Sequence, residues 1–178
     1  MAKRRNRAAE IHPLVTQLRF TRAEFLRTIK GVTEKDAQRR LLPMNSLSWN
    51  VGHLAWQEQR YFLGFGMDQQ PYPDIQAEFT TGGPASTPKL ARVLAAWRAI
   101  TALANPWLDS LTTADLLTDA INKGKPVGTT FGNLLQRVIY HYWYHTGENM
   151  AIRQQLGHGR LPQFVGNIDD KAPFRSSS

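Results

Sequence analysis

The chain has 178 residues, 42% of them hydrophobic and 20% charged, with no cysteine and a formal net charge of +8. A chain of this length buries roughly 70% of its unfolded surface and can hold one core without staples, and the composition excludes a disordered or fibrous protein. The missing thiols exclude disulfides, iron–sulfur clusters, cysteine-type zinc sites and a thiol nucleophile of the chain's own, so any metal must be held by His, Asp or Glu. Positive charge raises nucleic acid as a partner, but Lys3, Arg4, Arg5 and Arg7 supply four of the eight net charges within residues 1–8, which read as a disordered basic start. No apolar run of signal-peptide length follows them, and nowhere do 18 apolar residues occur together, so the expectation is a cytoplasmic protein without a membrane partner.

Apolar residues at helical spacing predict a first helix from Ala9 to Lys30, stopped by Gly31. Thr33 caps a short helix through Asp36 and Leu41, ended by Pro43. Ser46 or Ser48 opens a second long helix, Leu47 to about Leu63, carrying Trp49, His53, Trp56 and Arg60 on one side. Residues 65–86 dissolve into Gly, Pro, Asp and Gln and read equally as a long functional loop or as a disordered segment. Thr87 and Pro88 start a third helix that Pro106 kinks or ends. A Gly- and Lys-rich connection, residues 122–128, leads to a last long helix capped by Thr129 or Thr130 and closed near Leu156 by Gly157. Residues 161–178 form an irregular tail, and no strand pattern is visible. Four long helices and one short one, within residues 9–160, make an all-α bundle.

The chemistry lies in the last helix. At 100° per residue, Leu134, Val138, His141, His145, Ile152 and Leu156 share one core-facing stripe, with the two histidines one turn apart. Side chains at i and i+4 lie roughly 5–6 Å apart at Cβ, so both imidazoles reach one ion. Such a pair alone is weak evidence, and a third ligand is needed. His53 supplies it, in the middle of the second helix beside Gly52, which permits close packing. His12 and His158 are peripheral.

The run Ser48-Trp49-Asn50-Val51-Gly52-His53-Leu54, together with His141-x-x-x-His145-x-Gly147-Glu148 and residues 153–157, resembles the DinB-like (DinB/YfiT) superfamily over about residues 10–160. The resemblance implies a four-helix bundle of up-down-down-up order and a frequent homodimer. It also implies a metal held by His53, His141 and His145. Members include thiol-dependent S-transferases that use bacillithiol or mycothiol and a maleylpyruvate isomerase. The Trp-Asn-x-Gly-His-Leu-Ala-Trp run is also similar to the N-terminal bundle of the sulfoxide synthases of ergothioneine biosynthesis.

Glu148 lies on the flank next to His141, where it would orient a ligand imidazole or act as a base. Gln57 and Arg60, one and two turns beyond His53, would bind an anionic substrate at the mouth of the site, since the arginine fork suits a carboxylate. Trp49, Trp56, Trp97 and Trp107 read as core or pocket wall. Trp143 points away from the ligand stripe and reads as an exposed partner surface of the homodimer.

Three function classes follow. One is a metal-dependent transferase or hydrolase-like enzyme acting on a small thiol or electrophile, with Zn, Ni or Fe holding a position open for water or thiol. The second is a metal-stabilised binding module without catalysis. The third, a nucleic-acid-binding protein, rests on charge alone.

Overall fold

The computed structural model describes residues 10–175. The sequence-predicted basic start therefore lies outside the described residues, as does the first-helix start at Ala9. Helix α1 spans Pro13–Ile29, with His12 at its N-cap accepting the Leu14 N–H at 3.1 Å through Nδ1. It begins at the proline because fixed φ and a missing N–H suit a first turn. Helix α2 is Glu34–Gln38, capped by Thr33 and ending before Leu41. Helix α3, Leu47–Glu58, is capped by Ser46 and runs directly into a π-helical segment, Gln59–Phe65.

Residues 65–86 are not wholly irregular, because α4, Pro73–Phe79, starts on a proline at its first turn and buries Ile75 and Phe79. Helix α5 spans Leu90–Ser110. The expected Thr87 cap is replaced by Glu34 of α2, whose carboxylate accepts the Leu90 and Ala91 N–H groups at 2.8 and 2.9 Å. Pro106 does not end α5: it stands near the C-terminus, where its missing N–H removes one backbone bond.

After α6, Thr113–Leu116, the expected connection is a β-hairpin, β1 Asp119–Asn122 and β2 Lys125–Thr130, paired antiparallel with Asn122 opposite Lys125. Lys123 and Gly124 take φ of 50° and 75° between them, the geometry of a two-residue hairpin turn. Helix α7, Phe131–Gln155, is capped by Thr130 as expected, and Gly157 at φ 74° closes it. The tail contains a short α8, Ile168–Lys171.

The described residues are mostly helical, with one small two-stranded sheet. Helix α1 packs along α7, and α3 along α5. Residue pairs give the alignment: Phe25 meets Tyr142 and Thr28 meets Asn149, Arg22 meets Asn105, Asn50 meets Asn149, and Phe62 meets Trp107. The core centres on Val15, Leu18, Phe25, Leu54, Ile100, Val138 and Ile152. Every residue of α3 is buried, so this helix runs through the middle of the fold.

A polar network crosses that core. Arg22 on α1 forms a two-pronged ion pair with Glu58 on α3 and donates to Asn105 on α5 at 2.9 Å. Tyr142 on α7 donates its hydroxyl to Glu58 at 2.5 Å and accepts from Trp97 Nε1 on α5 at 2.6 Å. All four long helices thus meet in one set of satisfied buried polar groups. No helix among the described residues is long and apolar enough to cross a membrane.

Trp49, Trp56 and Trp97 are buried and Trp107 is partly buried, as expected. Trp143 is not the exposed aromatic the helical wheel suggests. It is half-buried, with Phe20 of α1 and Phe164 of the tail at ring-centroid distances of 6.3 and 6.2 Å. The wheel counts only bundle neighbours and takes no account of the tail folding back.

Candidate metal centre

The i, i+4 spacing on α7 stacks His141 and His145, and α3 brings His53 against them. One ring nitrogen from each of the three lies within 4.8 Å of the others. His53 is held between two indoles, Trp49 at 4.6 Å and Trp56 at 5.1 Å between ring centroids, both near parallel. Gly52 makes this possible from behind: a Cβ there would stand 2.5 Å from the Phe79 ring. Without that bare backbone Phe79 could not approach, and its carbonyl could not reach His53.

Each imidazole has its Nδ1 occupied. His53 Nδ1 donates to the Phe79 carbonyl at 2.7 Å, and His145 Nδ1 to Glu148 Oε2 at 2.8 Å. His141 Nδ1 meets Gln57 Oε1 at 2.8 Å. A carbonyl and a carboxylate only accept, so His53 and His145 carry their protons on Nδ1 and present bare Nε2 lone pairs, and His141 does the same when the Gln57 amide turns its oxygen to the ring. The Nε2 atoms of His141 and His145 stand 3.0 Å apart. Without a cation an Nε2–H of His141 donates across this gap to His145, and with one both Nε2 lone pairs turn to it.

Burial keeps two of the donors, His53 and His141, neutral. Burial lowers His53 to about 4, with the Phe79 hydrogen bond opposing and His145 adding to the drop. Burial lowers His141 to about 3, reinforced by His145 and His53. For Glu148, burial pushes the carboxyl up, but the bonds from His145 and the Asn45 backbone outweigh it and hold it below the usual carboxylate range. Neutral His53 and His141, together with His145 backed by the Glu148 carboxylate, form a donor set suited to a divalent ion.

Of the other singled-out residues, Glu148 lies behind His145 rather than beside His141, because the side chain reaches back one turn from i+3. Gln57 is buried and turned onto His141 rather than toward solvent. Arg60 is exposed at the rim, its guanidinium over the rings of Trp56, Tyr61 and Phe65 at 5.6–5.8 Å. His12 and His158 lie outside the cluster, one capping α1 and the other near Asp36 at 3.5 Å. The Phe79 carbonyl, which fixes the His53 tautomer, has no sequence signature. Arg137 was readable, one turn before His141 on α7, and it lines the same concavity as His53, His141 and Arg60.

A family model described as DinB superfamily matches residues 17–148. No curated protein matches the chain.

Proposed function

Because the chain belongs to the DinB superfamily, we propose that it is a metal-dependent enzyme, of transferase or hydrolase-like type, acting on a small thiol or electrophile with His53, His141 and His145 as its ligands. The observation that carries this reading is the convergence of three imidazoles from α3 and α7, one ring nitrogen of each within 4.8 Å of the others. Bound by three neutral imidazoles, a divalent Zn, Ni or Fe ion would keep its full charge, leave a position open, and lower the pKa of a water or thiol entering there.

The chain's own residues prepare that site. The Phe79 carbonyl, Gln57 and Glu148 each fix one ring through a hydrogen bond at its Nδ1. Both Glu148 oxygens are engaged, Oε2 by His145 and Oε1 by the Asn45 N–H at 3.2 Å, which favours a positioning role over a general base. Gln57 likewise positions His141, and Arg60 is left as the group that meets substrate. The bundle order we propose is up-down-down-up, supported by the pairings of Thr28 with Asn149, Arg22 with Asn105 and Gln57 with His141. A cytoplasmic homodimer accords with this family, though its interface would use a face other than the covered Trp143.

Cobalt substitution tests the reading. A Co²⁺-loaded protein whose absorption shifts on adding 2-mercaptoethanol or azide has an accessible ion. A spectrum that ignores both marks a closed site, and a metal-stabilised binding module replaces the enzyme.

A further inference from the structure

His53 and His141 of the cluster open to the surface through a concavity of about 450 Å³, walled by Trp56, Tyr61 and Tyr144 and bearing Arg60 and Arg137. No aspartate or glutamate lines it. Neither arginine forms an ion pair among the described residues. Two cations on one mouth without an acidic neighbour make it electropositive, which favours an anion there.

The arginines come from different elements that converge here. Arg137 stands one turn before His141 on α7. Arg60 is the second residue of the π-helical segment, a rare form concentrated at functional sites. That segment is fixed rather than loose: buried Gln59 donates through Nε2 to the Tyr72 carbonyl at 2.9 Å and accepts the Tyr72 N–H at 2.8 Å. Stacked on three rings, the Arg60 guanidinium is oriented without being neutralised, and its edge N–H groups remain free for a planar acceptor.

We propose that this mouth takes a small carboxylate, its oxyanion bridging Arg60 and Arg137 and its carbon body lying against Trp56, Tyr61 and Tyr144. Arg137 then determines specificity for an acidic substrate, alongside Arg60. The inference rests on the proposed function only in naming what enters the same site.

The test is calorimetric titration with benzoate and with its uncharged analogue benzamide, on both EDTA-dialysed and zinc-loaded protein. Benzoate is expected to bind saturably and benzamide at least about tenfold more weakly, because the charge-assisted pair is missing. Arg137→Gln and Arg60→Gln, both surface changes, should each weaken benzoate about five- to tenfold while zinc content stays at the wild-type value. The idea is overturned if benzoate fails to bind, if benzamide matches it, or if Arg137→Gln binds as wild type. Arginine-dependent benzoate binding by a protein that takes up no zinc would uphold the acid mouth and contradict the metal reading, so the two failures are distinguishable.

Discussion

The side-chain oxygen of Gln57 on α3 lies 2.8 Å from Nδ1 of His141 on α7, so the orientation of one ring in the cluster depends on the register between two helices. Outer partners of this kind typically change metal affinity by about 10–100-fold when removed. Gln57→Leu should therefore weaken zinc binding by about that factor in a chelator competition, while Gln57→Glu, which keeps an acceptor, retains it. Equal affinity for Gln57→Leu and wild type would remove the positioning role.

The metal-free protein should lose stability on mild acidification. Unfolded, His53 and His141 titrate near the usual 6.5; folded, burial holds them to about 4 and about 3. Below about pH 6.5 the unfolded chain binds protons that the folded chain refuses. Their contribution is thus full above that value and is lost as pH falls toward the two folded values. Urea midpoints of EDTA-treated protein should be level from about pH 8 to 7 and fall between about 6.5 and 5, where carboxylates are still ionised. His141→Gln should flatten the fall, and a level midpoint across the whole range in wild type would contradict the account.

The core network makes a separate prediction about stability. Glu58→Ala would leave Arg22 buried without its partner, a change that costs about 3–5 kcal/mol in comparable buried pairs. Tyr142→Phe removes one bond to Glu58 and leaves the Trp97 N–H without its acceptor, for about 1–3 kcal/mol. Denaturant unfolding reads both, and a Glu58→Ala protein within about 1 kcal/mol of wild type would show that the pair is dispensable.

Trp143→Ala should act on folding rather than association. Its ring is covered by Phe20 and Phe164, and removing a half-buried indole should cost about 1–3 kcal/mol, less than the full-burial value. Sedimentation should show the same oligomeric state for both proteins. A dimer that dissociates in the variant with no loss of stability would restore the interface reading.

What the sequence made legible was local. A cap at Thr129 or Thr130, the Gly157 stop and the shared stripe of His141 and His145 all follow from capping residues and periodicity within one helix, and His53 from the middle of another. The remainder depended on partners distant in sequence. Nothing near Glu58 in the sequence marks its buried pair with Arg22, 36 residues away. The hairpin escaped because only Ala120 of β1 is buried, so no alternation marks the strand. Helix α4 has seven residues, too short for a periodic signal, yet it delivers the Phe79 carbonyl to His53. Gln57 and Glu148 were singled out from their helical angles, but which ring each would hold depended on side-chain reach that the wheel does not contain.

The most direct test of the central claim is metal content per chain, measured by elemental analysis on protein prepared without a histidine tag. The three-histidine assignment predicts about one divalent ion per chain in wild type and almost none in the His141→Ala/His145→Ala double variant, with folding of each checked by circular dichroism. Equal metal content in the two proteins, or no uptake by wild type supplied with zinc, nickel or iron, would contradict it.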